Sequence, residues 1–198
     1  SWLAGEQVHV LLNGVTNYAT ASTVGEAILG NTLADTLVGS GGNDTLVGDN
    51  GDDRLDGGTG NNSMYGGSGN DYLFCSSYSG SATQLYDGGD GNDTLIGGIQ
   101  SVSTLLGGAG NDVLTVEFWG YGSILDGGVG NDTLTGGYWG DTYRFNLGDG
   151  QDVVNETISA PLTSTDRIVF GSTIAPADIS VLRSGADSEM TSGLSREE

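Results

Sequence analysis

A nine-residue unit with one large apolar position recurs along this chain, and it limits what the chain can fold into more than any other feature. The unit reads Gly-Gly-x-Gly-x-Asp-x-U-x, with U large and apolar. Three windows state it cleanly: Gly66–Phe74 (GGSGNDYLF), Gly88–Ile96 (GGDGNDTLI) and Gly107–Thr115 (GGAGNDVLT). Weaker copies begin at Gly30, Gly39, Gly48, Gly57, Gly127 and Gly136. So short a unit cannot bury its apolar side chain alone, and successive units must stack to share a core. Position 8 supplies that core: Leu37, Leu46, Leu55, Met64, Leu73, Tyr86, Leu95, Leu105, Leu114, Leu125, Leu134 and Tyr143. The expected fold class is all-β, a solenoid of three-residue strands joined by glycine-rich turns.

Composition removes the competing architectures. The 198 residues include 37 glycines and only 2 prolines, but no strict three-residue glycine period, which excludes collagen. Apolar residues at fixed offsets exclude a random linker. The formal net charge is −21, from 26 acidic residues against 5 Lys and Arg. Nucleic acid and anionic membrane surfaces are therefore not expected partners. The acids recur at fixed places, so a polyvalent cation is their natural counter-charge. The single cysteine, Cys75, forms no intramolecular disulfide and reads as a packed free thiol. No apolar run approaches the ~20 residues that span a bilayer. His9 is the only histidine and sits in a strand-like segment with no GxSxG elbow anywhere, so the chain is read as not an enzyme. Catalytic activity would require a domain that this sequence does not contain.

The residue types explain the turn. Glycines at positions 1, 2 and 4 are expected to take positive φ and to let backbone carbonyls turn inward around an ion. Aspartate at position 6 offers the hard oxygen that calcium prefers.

Residues 30 to 144 resemble the haemolysin-type calcium-binding repeats of RTX (repeats-in-toxin) proteins. The segments Gly140–Phe145 and Gly148–Asp152 are similar to the ends of such arrays. Asp166–Gly171 and Ile179–Leu182 resemble the domain that follows them. The resemblance implies a right-handed parallel β-roll with two nonapeptides per coil and calcium held between turns of successive coils on one edge. It implies ligands from the position-6 side chain and from the carbonyls of positions 1 to 4. Those carbonyls belong here to Gly51, Gly66, Gly67, Ser68, Gly69, Gly88, Gly89, Asp90, Gly91, Gly107, Gly108, Ala109, Gly110, Gly127 and Val129. It also implies a larger secreted bacterial protein, exported unfolded by a type I machinery and folded by extracellular calcium.

With two units per coil, aspartates on one edge should recur about every 18 residues. Asp35, Asp53, Asp71, Asp93, Asp112, Asp132 and Asp152 form such a ladder, without a missing rung. The opposite edge starts with Asp44 and Asn62, loses the motif through three rows of variable length, and recovers at Asp141. Calcium is therefore expected mainly along the first edge, about five to seven ions in all. Five sites fall between successive members of the run from Asp53 to Asp152. A sixth, between Asp35 and Asp53, is weakened because Asn31-Thr32-Leu33 lacks the glycines. Another, between Asp44 and Asn62, is weakened by the neutral Asn. Coils stack roughly 4.8 Å apart. Unneutralised carboxylates in the ladder would repel by about 1–3 kcal/mol per adjacent pair. Asp49, Asp52, Asp56, Asp87, Asp90, Asp126 and Asp149 lie off position 6; most read as solvated turn acids, with the alternative at positions 2 and 9 that they add negative charge around the sites.

The second edge carries Phe118, Trp119 and Tyr121 in one row, and Tyr138 and Trp139 one coil later. Two readings stay open: a stacking platform for polysaccharide, as on an adhesin, or a shield over an edge that has given up its metal. The chain divides into a cap or the end of a preceding domain (1–29), the calcium-binding β-roll (30–152), a C-terminal β cap (153–183) and a disordered tail (184–198).

Overall fold

The computed structural model describes residues 8–10, 18–21, 25–77, 82–117, 119–156 and 165–175. Among them there is no helix, and every named strand lies in one of two parallel sheets. The first sheet holds β1 (Val8–Val10), β3 (Ala27–Leu29), β5 (Thr45–Asn50), β7 (Ser63–Ser68), β9 (Thr83–Asp90), β11 (Val102–Ala109), β13 (Ile124–Val129), β15 (Thr142–Phe145) and β17 (Arg167–Phe170). The second holds β2 (Tyr18–Thr20), β4 (Thr36–Val38), β6 (Arg54–Asp56), β8 (Tyr72–Phe74), β10 (Thr94–Gly97), β12 (Val113–Val116), β14 (Thr133–Thr135) and β16 (Val153–Asn155). Each strand pairs with the strand two further along the chain, which is the connectivity of a β-solenoid.

Position 8 sets the register. In the first sheet Leu46 stands beside Met64, Met64 beside Tyr86, Tyr86 beside Leu105, Leu105 beside Leu125 and Leu125 beside Tyr143. In the second, Leu37, Leu55, Leu73, Leu95, Leu114 and Leu134 form the facing column. All twelve expected core side chains are at most 1% exposed, and each contributes about 1.5–3 kcal/mol by leaving water. The residues on either side of position 8 point outward, as strand geometry requires.

The flanking strands continue the same stack. Ile28 is fully buried above Leu46, and Ala19 stands above Leu37. At the other end Ile168 pairs with Tyr143 and Val154 with Leu134. The boundaries drawn at 30 and 152 mark where the motif is written, whereas parallel pairing runs from Val8 to Phe170. The backbone of His9 lies in β1, opposite Ile28. The expectations for Phe118, for Ile179–Leu182 and for the 184–198 tail fall outside the described residues.

Candidate metal centre

Six-residue turns on the first edge carry the chain from the first sheet to the second: 48–53, 66–71, 88–93, 107–112, 127–132 and 147–152. Glycine at position 4 is needed for its backbone: φ is 116° at Gly51, 135° at Gly69 and 138° at both Gly91 and Gly110. Position 2 is also left-handed, with φ of 100° at Gly89 and 83° at the non-glycine Asp49. Position 1 departs from the expectation, because none of Gly48, Gly66, Gly88, Gly107 and Gly127 takes a positive φ. There glycine is required for space. A Cβ on Gly88 would run into Asp93 Oδ2 and lie 2.5 Å from the Gly107 carbonyl one coil on. The carboxylate and that carbonyl thus converge on a cradle that a methyl group would fill.

The position-6 aspartates form one hydrogen-bonded ladder. Each Oδ1 accepts the backbone N–H of the aspartate one coil earlier, from Asp35–Asp53 through Asp53–Asp71, Asp71–Asp93, Asp93–Asp112 and Asp112–Asp132 to Asp132–Asp152, at 2.7–2.9 Å. The other oxygen has no such use. Oδ2 of Asp53, Asp71, Asp93, Asp112 and Asp132 is buried without a hydrogen-bond partner, and Asp44 Oδ2 shares that condition on the second edge. Burial is the main cause that raises these carboxyls, Asp53 and Asp112 to about 7 and Asp44, Asp71 and Asp93 to about 6. Asp132 shifts the same way for the same reason. A buried carboxylate oxygen beside a carbonyl, with no donor to satisfy it, is the donor set of a hard divalent cation. Among the described residues no three His, Cys, Asp or Glu side chains converge. The oxygens that converge on each cradle come from position-6 aspartates and backbone carbonyls.

The ladder has an unforeseen companion at position 5. Asn92, Asn111, Asn131 and Gln151 each donate a backbone N–H to the Asn Oδ1 of the preceding coil, and Asn70 donates to Asp52. Position 5 therefore bonds back along the stack while position 6 bonds forward. The two N–H groups that the turn leaves outside the strand ladders are both satisfied. The motif's preference for Asn at position 5 was the available signal.

At either end the carboxylates are differently employed. Asp35 Oδ2 accepts the N–H of Asn31 at 2.8 Å. Asp141 Oδ1 accepts from Ser123 and its Oδ2 from Gly137. Asp152 closes the ladder through Oδ1 alone. The reading of the off-position acids as solvated fails at Asp56 and Asp149, which are 7% and 8% exposed. Asp56 accepts the N–H of Gly58 and Ser76, and Asp149 accepts that of Asn146, so each braces a turn.

The second edge keeps the hydrogen-bond ladder but uses uncharged acceptors in its middle, between carboxylates at Asp44 and at Asp141 and Asp166. Glu26 N–H donates to Asp44, Asp44 to Asn62 Oδ1 and Asn62 to Gln84 Oε1. Ser103 donates to Ser123 Oγ, Ser123 to Asp141 and Asp141 to Asp166. Gln84, Ser103 and Ser123 are fully buried polar substitutes that the search for aspartate passed over. Counting two residues back from the core positions Tyr86, Leu105 and Leu125 finds all three.

The aromatic rows meet across coils. Trp119 packs edge-on to Tyr138 with ring centroids 5.5 Å apart, and Tyr121 lies 5.6 Å from Trp139. Trp119 is 56% exposed and Trp139 39%.

The RTX calcium-binding nonapeptide repeat model (4 copies) matches residues 29–64, 47–74, 80–101, 103–116 and 121–138. No curated protein matches the chain. The matched segments cover about half of the chain and contain in full all six turns whose aspartate has an unpartnered Oδ2. On sequence and fold together, the chain belongs to the RTX calcium-binding nonapeptide repeat family.

Proposed function

We infer that this chain is a calcium-loaded folding module of a larger secreted bacterial protein. Membership of the family makes it a structural calcium-binding module rather than a catalytic one. The observation that carries the finer reading is the row of buried, unpartnered Oδ2 atoms at Asp53, Asp71, Asp93, Asp112 and Asp132. Five ions would lie between successive members of the run Asp53, Asp71, Asp93, Asp112, Asp132 and Asp152. The carbonyls of positions 1 to 4 would complete each shell, among them those of Gly66, Gly88, Gly107 and Gly127, which face the cradles. Asp44, with its own unpartnered oxygen, would hold a further ion against the Asn62 turn. Asp35 and Asp141 would add ions only by giving up the N–H groups they now accept.

Bound calcium would supply positive charge to a ladder that otherwise stacks carboxylates coil on coil. Its binding free energy then becomes folding free energy. Extracellular calcium modules bind with Kd of about 0.1–1 mM, too weakly for a low-calcium cytosol. The module would therefore stay unfolded inside the cell, suit export as an unfolded chain through a type I channel, and fold outside. Circular dichroism in calcium and in excess chelator, with a calorimetric count of ions, tests this reading. Strand content that appears only with calcium, at five to seven ions per chain, is expected. Equal strand content in chelator, or two ions or fewer, would sink it.

The paired rings support a second reading, a contact surface for polysaccharide as on an adhesin. Trp119 and Trp139 turn accessible faces outward, and a sugar ring stacks on such faces. Quenching of tryptophan fluorescence by a neutral soluble polysaccharide, lost in Trp119→Ala, is expected; no response would leave the rings as a shield.

A further inference from the structure

On the first edge, the space beside Gly48, Gly66, Gly88 and Gly107 is left to a carboxylate oxygen and the next coil's carbonyl. On the second edge the protein's own groups fill that space from the Gly57 turn onward. A Cβ on Gly57 would lie 2.8 Å from Cys75 Sγ and 3.0 Å from Asn62 Nδ2. That Nδ2 donates to the Gly57 carbonyl at 2.7 Å, so the inward atom is a hydrogen-bond donor where aspartate would present an oxygen. A Cβ on Gly97 would meet Ser103 Oγ at 2.9 Å. A Cβ on Gly136 would run into the Tyr143 hydroxyl and lie 2.8 Å from Glu156 Oε1.

Two of the fillers come from the core. Tyr86 and Tyr143 occupy position 8, where the other ten residues are Leu or Met, and both are at most 1% exposed. A tyrosine reaches further than a leucine, and each sends its hydroxyl into a second-edge turn. The Tyr86 hydroxyl accepts the Gly98 N–H at 3.1 Å and bonds with the Cys75 thiol and Ser103. The Tyr143 hydroxyl donates to the Glu156 carboxylate. Between them the row is closed by Val116, 3% exposed, and by Ser101, Ser103 and Ser123, all fully buried.

We propose that these groups stand in for the metal, so that the second edge binds no calcium beyond the Asp44–Asn62 rung. The calcium capacity of the module is then set by Tyr86, Cys75, Val116, Tyr143 and Glu156 as much as by the aspartates. The inference rests on the calcium reading of the first edge. Its physical basis is that hydroxyl, thiol and amide groups satisfy one another inside the turn. Through the rows of Gln84, Ser103 and Ser123 they also leave no charge ladder to neutralise. Turn length supports it. First-edge turns keep six residues, as an ion of fixed coordination demands, whereas the second edge runs through 75–84, 97–103 and 116–123.

The test is anomalous diffraction from crystals of the calcium-loaded chain, with ion counts by equilibrium dialysis on Asp112→Asn and Asp141→Asn. Peaks along Asp53 to Asp152 and at Asp44 are expected, with none on the second edge from Cys75 to Asp166. Asp112→Asn should lose one or two ions and Asp141→Asn none. A peak coordinated by Asp141, or an ion lost in Asp141→Asn, would overturn the inference while leaving the first-edge reading intact. Absence of calcium from both edges would overturn the calcium reading and this inference with it. Should Asp141→Asn fail to fold, the diffraction result on the unaltered chain decides alone.

Discussion

The two edges of the solenoid solve one problem differently. Each must close a tight turn, satisfy its backbone N–H groups and stack on identical neighbours. The first edge does so with carboxylates, leaving a buried Oδ2 unsatisfied at Asp53, Asp71, Asp93, Asp112 and Asp132. The second edge does so in part with Asn62, Gln84 and Ser123, whose side chains accept the same N–H groups without adding charge, before returning to a carboxylate at Asp141. The hydrogen-bond ladder is thus a property of the coil, whereas an unbroken run of unpartnered oxygens marks the first edge, against the single one of Asp44 on the second among the described residues. The difference teaches that the two oxygens of a position-6 aspartate are separable, Oδ1 accepting a backbone N–H and Oδ2 left buried without a partner.

Calcium removal should break the comparison most severely. Chelation is expected to abolish the far-UV strand signal of the whole chain, because the uncompensated first edge takes the second edge, which shares its strands, with it. A second edge that kept its strand signal in chelator would show that the edges fold independently.

Adding one methyl group should separate the edges next. Gly88→Ala drives a Cβ onto Asp93 Oδ2 and the Gly107 carbonyl. Neither can retreat, so a loss of about 3 kcal/mol in calcium-loaded stability is expected by denaturant unfolding. Gly97→Ala meets a serine hydroxyl tip at 2.9 Å, and should cost only about 1 kcal/mol. Equal losses would mean that the first-edge cradle is not specially tight.

Acid should imitate calcium, and most of the carboxyls concerned lie on the first edge. In the calcium-stripped chain the folded carboxyls titrate high, about 7 at Asp53 and Asp112 and about 6 at Asp71 and Asp93, against 3.8 when unfolded. The folded state therefore binds more protons than the unfolded one, and stability falls as pH rises. This contribution is complete below about pH 4 and is lost as pH climbs through 6 to 7. Circular dichroism of the stripped chain should show structure gained on acidification; a signal that stays flat from pH 7 to pH 4 would contradict it.

The smallest expected effect lies at position 2. Asp49 holds φ at 83° where the other first-edge turns from 66 to 150 place glycine. Asp49→Gly should raise stability by about 1 kcal/mol by removing a left-handed strain that glycine does not feel. A calorimetric midpoint that falls instead would show that the Asp49 carboxylate contributes more than its backbone costs.

Much of this protein was determined locally. The period of nine, the twelve core positions and the unbroken aspartate ladder follow from the sequence because each unit repeats the same strand, turn and inward residue. The asymmetry between edges was also legible, since a missing aspartate is visible as a missing letter. The tertiary structure decided what the letters do across coils. Only stacking gives position 1 its need for glycine, through contact with a neighbouring coil's carbonyl rather than through its own φ. Only stacking reveals that Asn62, Gln84 and Ser123 accept the N–H groups that aspartate accepts elsewhere. The hydroxyls of Tyr86 and Tyr143 read in sequence as two more apolar core residues. Their place in the second-edge turns depends on side-chain length measured against the width of the coil, which no single repeat encodes.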